Sequence, residues 1–208
     1  MNKYLTEFIG TFFLVLTIGC TVIGGGTGVI PPLAIGAALM VMIFAGGHVS
    51  GGHFNPAVTL AVWLRGRCDK KDVIPYMASQ VVGAVLAAMA VKFLFAGAKV
   101  ALIAPNVPRA LLAEGLFTFA LAYVVLNTAT AKGTSGNSFY GLAIGMTVMT
   151  GAFAVGGISG GAFNPAVAVG VSVMGLSAWG NLWLYLVANF AGGALAALAF
   201  KTINPEDK

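Results

Sequence analysis

Six stretches of mostly apolar residues run through the chain, near 4–24, 32–49, 72–96, 109–131, 138–157 and 179–200. Short polar or glycine-rich segments separate them. A helix that crosses a bilayer needs roughly 20 predominantly apolar residues, so each stretch predicts one span. Two further apolar stretches, 55–65 and 164–175, have about half that length, which suits a helix that enters the bilayer without crossing it. Each begins with Asn-Pro. Asparagine is a favoured N-cap and proline is favoured at the first helical position. The pattern predicts two short helices, each preceded by non-helical, glycine-rich chain. Irregular backbone at membrane depth is tolerated only where it is buried or lines a wet cavity.

The two short stretches are copies. Ser50-Gly-Gly-His-Phe-Asn-Pro-Ala-Val58 recurs 109 residues later as Ser159-Gly-Gly-Ala-Phe-Asn-Pro-Ala-Val167. Aligning 33–58 with 142–167 gives 16 identities in 26 positions, including Leu-Ala-Ile-Gly at 33–36 and 142–145. Glu7 with Thr11-Phe12 is matched by Glu114 with Thr118-Phe119. The chain is an internal duplication, read as one membrane domain over 1–208 with halves near 1–105 and 106–208. Three crossings per half make the repeat inverted, so the short helices enter from opposite faces. The expected class is an all-α integral membrane protein with six transmembrane helices and two re-entrant half-helices.

Composition agrees. Of the 208 residues, 59% are apolar and only 8% charged, against roughly 25% charged in soluble proteins, and the mean hydropathy is +0.94. With the N-terminus inside, the inner segments hold Lys3, Arg65, Arg67, Lys70, Lys71, Lys132, Lys201 and Lys208, and the outer ones Lys92, Lys99 and Arg109. That bias predicts cytoplasmic termini, in a plasma or inner membrane. Thinly spread basic residues argue against a nucleic-acid partner. Cys20 and Cys68 fall in unlike environments and lack metal-site spacing. The segment Lys132–Asn137 reads as a flexible link, and the tail 204–208 as a frayed end.

Two half-helices entering from opposite faces meet N-terminus to N-terminus. Each end presents unpaired N–H groups and roughly half a positive charge, a poor place for a cation. The Asn55 and Asn164 amides can donate to a neutral polar solute, provided their own oxygens are occupied by backbone N–H groups. The approaches Gly51-Gly52-His53 and Gly160-Gly161-Ala162 can expose carbonyl acceptors. Donors at the centre and acceptors along the wall form a path for small uncharged molecules.

On Asn55-Pro56-Ala57, Asn164-Pro165-Ala166, the flanking Ser-Gly-Gly sequences, and Glu7 and Glu114, the chain resembles the aquaporin (major intrinsic protein) family over nearly its whole length. The resemblance implies a homotetramer with one pore per subunit, set in membrane lipid, with no cofactor. It also implies that Glu7 and Glu114 accept hydrogen bonds from the loops leading into the half-helices. The family normally places an arginine after the second motif, at the outer constriction; here that position is Val167. Spacing from the motifs puts the other constriction positions at Ile35, Ala152 and Gly161, an apolar filter without fixed charge. The reading is a passive channel for water and small uncharged solutes such as ammonia, urea or small polyols. Glycerol specificity is not expected, because Ala168 stands where the glycerol-selective branch usually carries an aspartate.

The main alternative is a secondary transporter, since inverted repeats with broken helices also occur there; its coupling site would need carboxylates at the midplane, and Glu7 and Glu114 lie near span starts. No nucleophile or metal motif marks an enzyme. His48 and His53 read as pore-lining or hydrogen-bonded residues rather than ligands. Gly10, Gly83, Gly115, Gly192 and Gly193 read as helix-packing positions, and Gln80 and Asn189 as interhelical hydrogen-bonders. Trp179, Trp183 and Tyr185 read as interfacial anchors.

Overall fold

A computed structural model describes residues 1–207; Lys208, one of the charges counted inside, lies outside the described residues. Among those residues there are eight α-helices: α1 (Asn2–Ile23), α2 (Ile30–Ser50), α3 (Pro56–Leu64), α4 (Lys70–Leu94), α5 (Val107–Val125), α6 (Tyr140–Ser159), α7 (Pro165–Met174) and α8 (Leu182–Ile203). A π-helical turn, Leu126–Thr130, prolongs α5. Six helices are long and apolar enough to cross a membrane, and the chain is an integral membrane protein. The short helices α3 and α7 fall where the Asn-Pro pattern predicts them. Each begins with proline at the first position behind an asparagine cap.

The duplication governs the packing. In the first half α1 lies along α2 and α4; in the second, α5 lies along α6 and α8. The halves are laced together by exchange, because α3 packs on α8 and α7 packs on α4. The helices α2 and α6 cross each other, and the repeated Leu-Ala-Ile-Gly makes that crossing. A Cβ on Gly36 would lie 2.8 Å from the Gly145 carbonyl oxygen, and one on Gly145 would lie 2.5 Å from that of Gly36. Small residues let backbones approach closely where apolar lipid supplies no drive for association. Four of the five packing glycines are tight: a Cβ would come within 2.2 Å of Phe54 at Gly10, and within 2.6 Å of a facing backbone carbonyl at Gly83, Gly192 and Gly193. At Gly115 it would meet only the Ala188 carbonyl oxygen, at an ordinary 3.8 Å, so packing does not require glycine there.

Three expectations need correction, and one buried acid is added. Lys132–Asn137 is not a loose link. Thr134 Oγ1 donates to the Asn127 carbonyl at 2.5 Å, Asn137 Nδ2 donates to that of Thr128 at 2.7 Å, and Asn137 Oδ1 accepts from Tyr140 N at 2.9 Å at the start of α6. The segment closes on the carbonyls that the π turn leaves unpaired. The tail is not frayed at Asp207, whose carboxylate meets Arg65 Nη2 at 2.5 Å and Lys132 N at 2.7 Å. Tyr185 is no interfacial anchor: it is buried, and its hydroxyl donates to the Ser159 carbonyl at 2.7 Å. Asp72 is a third acid buried in a long helix; Lys3 and the Tyr4 hydroxyl bind it and tie α1 to α4.

The α2/α6 crossing generates a signed test. Gly145→Ala forces a methyl against the Gly36 carbonyl and destabilises the protein by about 1–3 kcal/mol. Gly157→Ala, in the same helix but with nothing within 4 Å of the added Cβ, is neutral or stabilising by up to about 1 kcal/mol. Thermal unfolding in detergent reads both; equal effects would refute the crossing.

Candidate functional site

The site is built from two loops that run inside the bundle, where backbone groups lack water and must find protein partners. Glu7 supplies them in the first half. Its Oε1 accepts from Ser50 Oγ at 2.7 Å and His53 N at 2.9 Å, and its Oε2 from Phe54 N and Gln80 Nε2, both at 2.7 Å. Glu114 repeats the arrangement: Oε1 accepts from Ser159 Oγ at 2.7 Å and Ala162 N at 3.0 Å, and Oε2 from Phe163 N at 2.7 Å. Both glutamates are fully buried. The serines that end α2 and α6 are held in turn, with Tyr76 donating to the Ser50 carbonyl at 2.8 Å as Tyr185 does to that of Ser159.

The chain then turns through a left-handed run. Gly51 and Gly52 have φ of 89° and 63°, and Gly160 and Gly161 of 94° and 65°. Phe54 and Phe163 follow with φ of 48°, a conformation that costs a bulky residue on the order of 1–3 kcal/mol and persists only where surroundings enforce it. Here the enforcement is complete, since each Phe N–H is taken by a glutamate and each Phe carbonyl by the opposite half. Asn164 Nδ2 donates to the Phe54 carbonyl at 2.8 Å, and Asn55 Nδ2 donates to that of Phe163 at 2.9 Å.

Each asparagine is thereby fixed. Asn55 Oδ1 accepts from Ala57 N at 2.8 Å and Val58 N at 3.4 Å; Asn164 Oδ1 accepts from Ala166 N at 2.9 Å and Val167 N at 3.4 Å. With the oxygen filled and one N–H spent across the junction, each amide keeps one further N–H. Both asparagines border a narrow cavity of about 70 Å³. Ile35, Ala152, Gly161 and Val167 all border this same cavity, and Val167 is buried at the place where the family usually carries arginine. Among the described residues its lining holds no Asp, Glu, Lys or Arg, and its polar side chains are His53, Asn55 and Asn164 alone.

A wider cavity of about 720 Å³ opens at one end, lined by His48, Gly51, His53, Arg67, Thr128, Lys132 and Asn137 among others. His53 borders both cavities. Of the proposed carbonyl positions, Gly160 and Ala162 border the narrow cavity and Gly51 the wide one. Gly52 is buried and borders neither; its N–H is turned back onto Ser50 Oγ at 3.1 Å. The halves differ around His53, whose Nδ1 lies 3.1 Å from Thr59 Oγ1, which also accepts from Gln80 Nε2 at 3.0 Å. Ala162 and Ala168 stand at the equivalent places in the second half. Asn189, the counterpart of Gln80, accepts instead from Thr118 Oγ1 at 3.0 Å, and its Nδ2 is buried without a partner. Among the described residues no cluster of three His, Cys, Asp or Glu could hold a metal ion.

Sequence reasoning missed Phe54, Phe163, Tyr76 and Tyr185 as parts of the site. The signal was present: the phenylalanines recur within the duplicated motif, and each tyrosine stands 26 residues after its serine.

The sequence profile described as Major intrinsic protein matches residues 1–200. "Glycerol uptake facilitator protein-like 6" of Lactiplantibacillus plantarum is 39% identical over 217 residues, spanning all of both chains. "Aquaporin NIP1-3" of Oryza sativa subsp. japonica is 36% identical over 218 residues, covering all of this chain and 75% of that protein. In fold, the chain is similar to the X-ray structure of the aquaglyceroporin from Plasmodium falciparum, with a TM-score of 0.83 at 23% identity, over 99% of this chain and 97% of that one.

The two carboxylates predict unequal mutants. A glutamine at either position turns one acceptor oxygen into an NH₂ facing donors, at about 1–3 kcal/mol for each donor left unpaired. Glu7→Gln strikes a carboxylate serving four donors and Glu114→Gln one serving three. We expect both to lower the melting temperature and water permeability, Glu7→Gln by more. The reverse order would show that the counted donors do not carry the loops' stability.

Proposed function

This chain belongs to the major intrinsic protein family, and we propose that it is a passive channel, in a plasma or inner membrane, for water and small uncharged solutes. The reading treats 1–208 as a single channel domain with halves 1–105 and 106–208, both termini cytoplasmic, assembling as a homotetramer with one pore per subunit. The name "Glycerol uptake facilitator protein-like 6" of one relative is in keeping with solutes larger than water.

The observation that carries the solute range is the lining of the narrow cavity. Ile35, Ala152, Gly161 and Val167 form its proposed constriction, without a charged side chain to hold water or reject a neutral molecule. Asn55 and Asn164 supply the central donors; Gly51, His53, Gly160 and Ala162 supply the carbonyl acceptors. Ammonia, urea and small polyols fit this chemistry, since each exchanges hydrogen bonds with the amides and carries no charge to desolvate. Cation exclusion is assigned to the paired N-termini of α3 and α7, where partial positive charge meets from both sides. The transporter alternative is disfavoured because Glu7 already accepts from four protein donors and Glu114 from three.

Stopped-flow light scattering on proteoliposomes, with water, glycerol, urea and ammonium gradients in parallel, tests the reading. Fast solute uptake beside fast water flux is expected. Val167→Arg should cut urea and polyol uptake about tenfold, equivalent to about 1.4 kcal/mol of added barrier, and reduce any residual proton leak. A sharp cut-off at water in the unmodified protein, or an unchanged solute profile in Val167→Arg, would remove Val167 from the constriction.

A further inference from the structure

A second ordered polar cluster lies beside the wide cavity. Arg65, which directly follows α3, is buried, and its guanidinium lies 4.5 Å from the ring centroid of Phe200 in α8. Its Nη2 donates to Asp207 Oδ1 at 2.5 Å, and Arg67 Nη2 lies 3.8 Å from the same oxygen. The other oxygen, Oδ2, accepts from Lys132 N at 2.7 Å. Lys132 Nζ reaches the Glu206 carbonyl at 3.3 Å. One carboxylate therefore joins the end of α3, the start of the loop 131–137, and the segment that follows α8. That loop is a wall of the wide cavity, to which Lys132, Thr134 and Asn137 all contribute.

We infer that Asp207 is a positioning residue for the inner mouth: its carboxylate holds the loop 131–137 against the end of α3 and so fixes the wall of the cavity through which solute reaches His53. The effect on flux rests on the channel reading above; the tether itself does not. The pair is shielded from solvent, with the Arg65 and Asp207 side chains 2% and 12% exposed. Breaking a buried pair from one side leaves an uncompensated charge, and Arg65 already has an unpartnered Nε. Released from Asp207, the start of the loop at Lys132 is free to move into the cavity it now bounds, while Thr134 and Asn137 keep their bonds to the π turn and α6; that movement narrows the approach to the pore.

The Asp207 carboxyl is held below the ordinary carboxylate range, first by the hydrogen bond from Lys132 N, then by the charge of Arg65. A depressed value means that the contribution is complete above the unfolded value, about 3.9, and is lost as pH falls through the folded one. Among the described residues the groups facing it are Arg65, Arg67 and Lys132, with Glu206 adjacent. The tether is therefore insensitive to pH between about 6 and 8, where histidines titrate.

The test uses the full chain in proteoliposomes with its inner face accessible. Trypsin cleavage after Lys132 reads the tether, because proteolysis tracks the population of the opened segment. Asp207→Asn should accelerate that cleavage about tenfold and lower water permeability at least about twofold. Asp207→Glu should restore both. Glu206→Gln should change neither, since Glu206 contributes its backbone carbonyl. Unchanged cleavage in Asp207→Asn would overturn the tether. Faster cleavage with unaltered permeability would overturn its control of the mouth. A wild-type protein without water flux would overturn the channel reading instead, and cleavage would then decide the tether alone.

Discussion

Two stretches of irregular backbone sit inside a bundle of apolar helices, and everything else is arranged to satisfy their hydrogen bonds. Water cannot do it at that depth, and an unpaired peptide group there costs several kcal/mol. Glu7 and Glu114 meet the need with one carboxylate per loop. A carboxylate is suited to this because it only accepts and offers about four lone-pair positions. Burying such a charge is itself expensive. The expense is offset because the donors converge from the loop N–H groups, the serine hydroxyl and, in the first half, Gln80.

The junction between the halves follows from the same constraint. A strained phenylalanine aims its N–H at one half's glutamate and its carbonyl at the other half's asparagine. Each half satisfies its loop N–H groups itself but leaves the Phe carbonyl to the other half's asparagine, so the paired motif is completed only when both halves meet. This also accounts for the exchange of short helices between halves, with α3 seated on α8 and α7 on α4. Gly193 allows the close contact of α8 with the Ala57 carbonyl of α3, and Gly170 that of α7 with the Ala84 carbonyl of α4.

Most of this architecture was legible in the sequence because it is written twice. Length and hydropathy located the six long helices; Asn-Pro with its caps located the two short ones; the repeat required them to oppose each other. Spacing from the motifs also found four residues, Ile35, Ala152, Gly161 and Val167, that border one cavity. What was not legible falls on single-copy polar residues joined across long separations. Asp207 and Arg65 stand 142 positions apart, and no local pattern announces their meeting. A polar tail and a glycine-containing loop read as mobile when taken alone, yet each is fixed by the other's backbone and side chains. Tyr185 was misread for a related reason. Its neighbours Trp179 and Trp183 are exposed, and only the repeat relation to Tyr76 separates it from them.

The missing arginine changes less than its usual position suggests, once the two cavities are considered together. A solute in the wide cavity has Arg67, Lys132, Thr128 and Asn137 about it. Moving into the narrow one, it keeps only His53, Asn55 and Asn164 as polar side chains. An ion making that step loses most of its hydration without gaining a counter-charge, and the desolvation of a full charge greatly exceeds that of a hydroxyl or an amine. The paired helix termini add to the barrier for cations. A neutral solute loses a few hydrogen bonds and recovers part of them at the asparagine amides. Discrimination by charge can thus reside in the apolar wall and the central donors. On the proposed reading, a side chain at 167 is left to decide size and polarity among uncharged molecules, and valine places few restrictions on either.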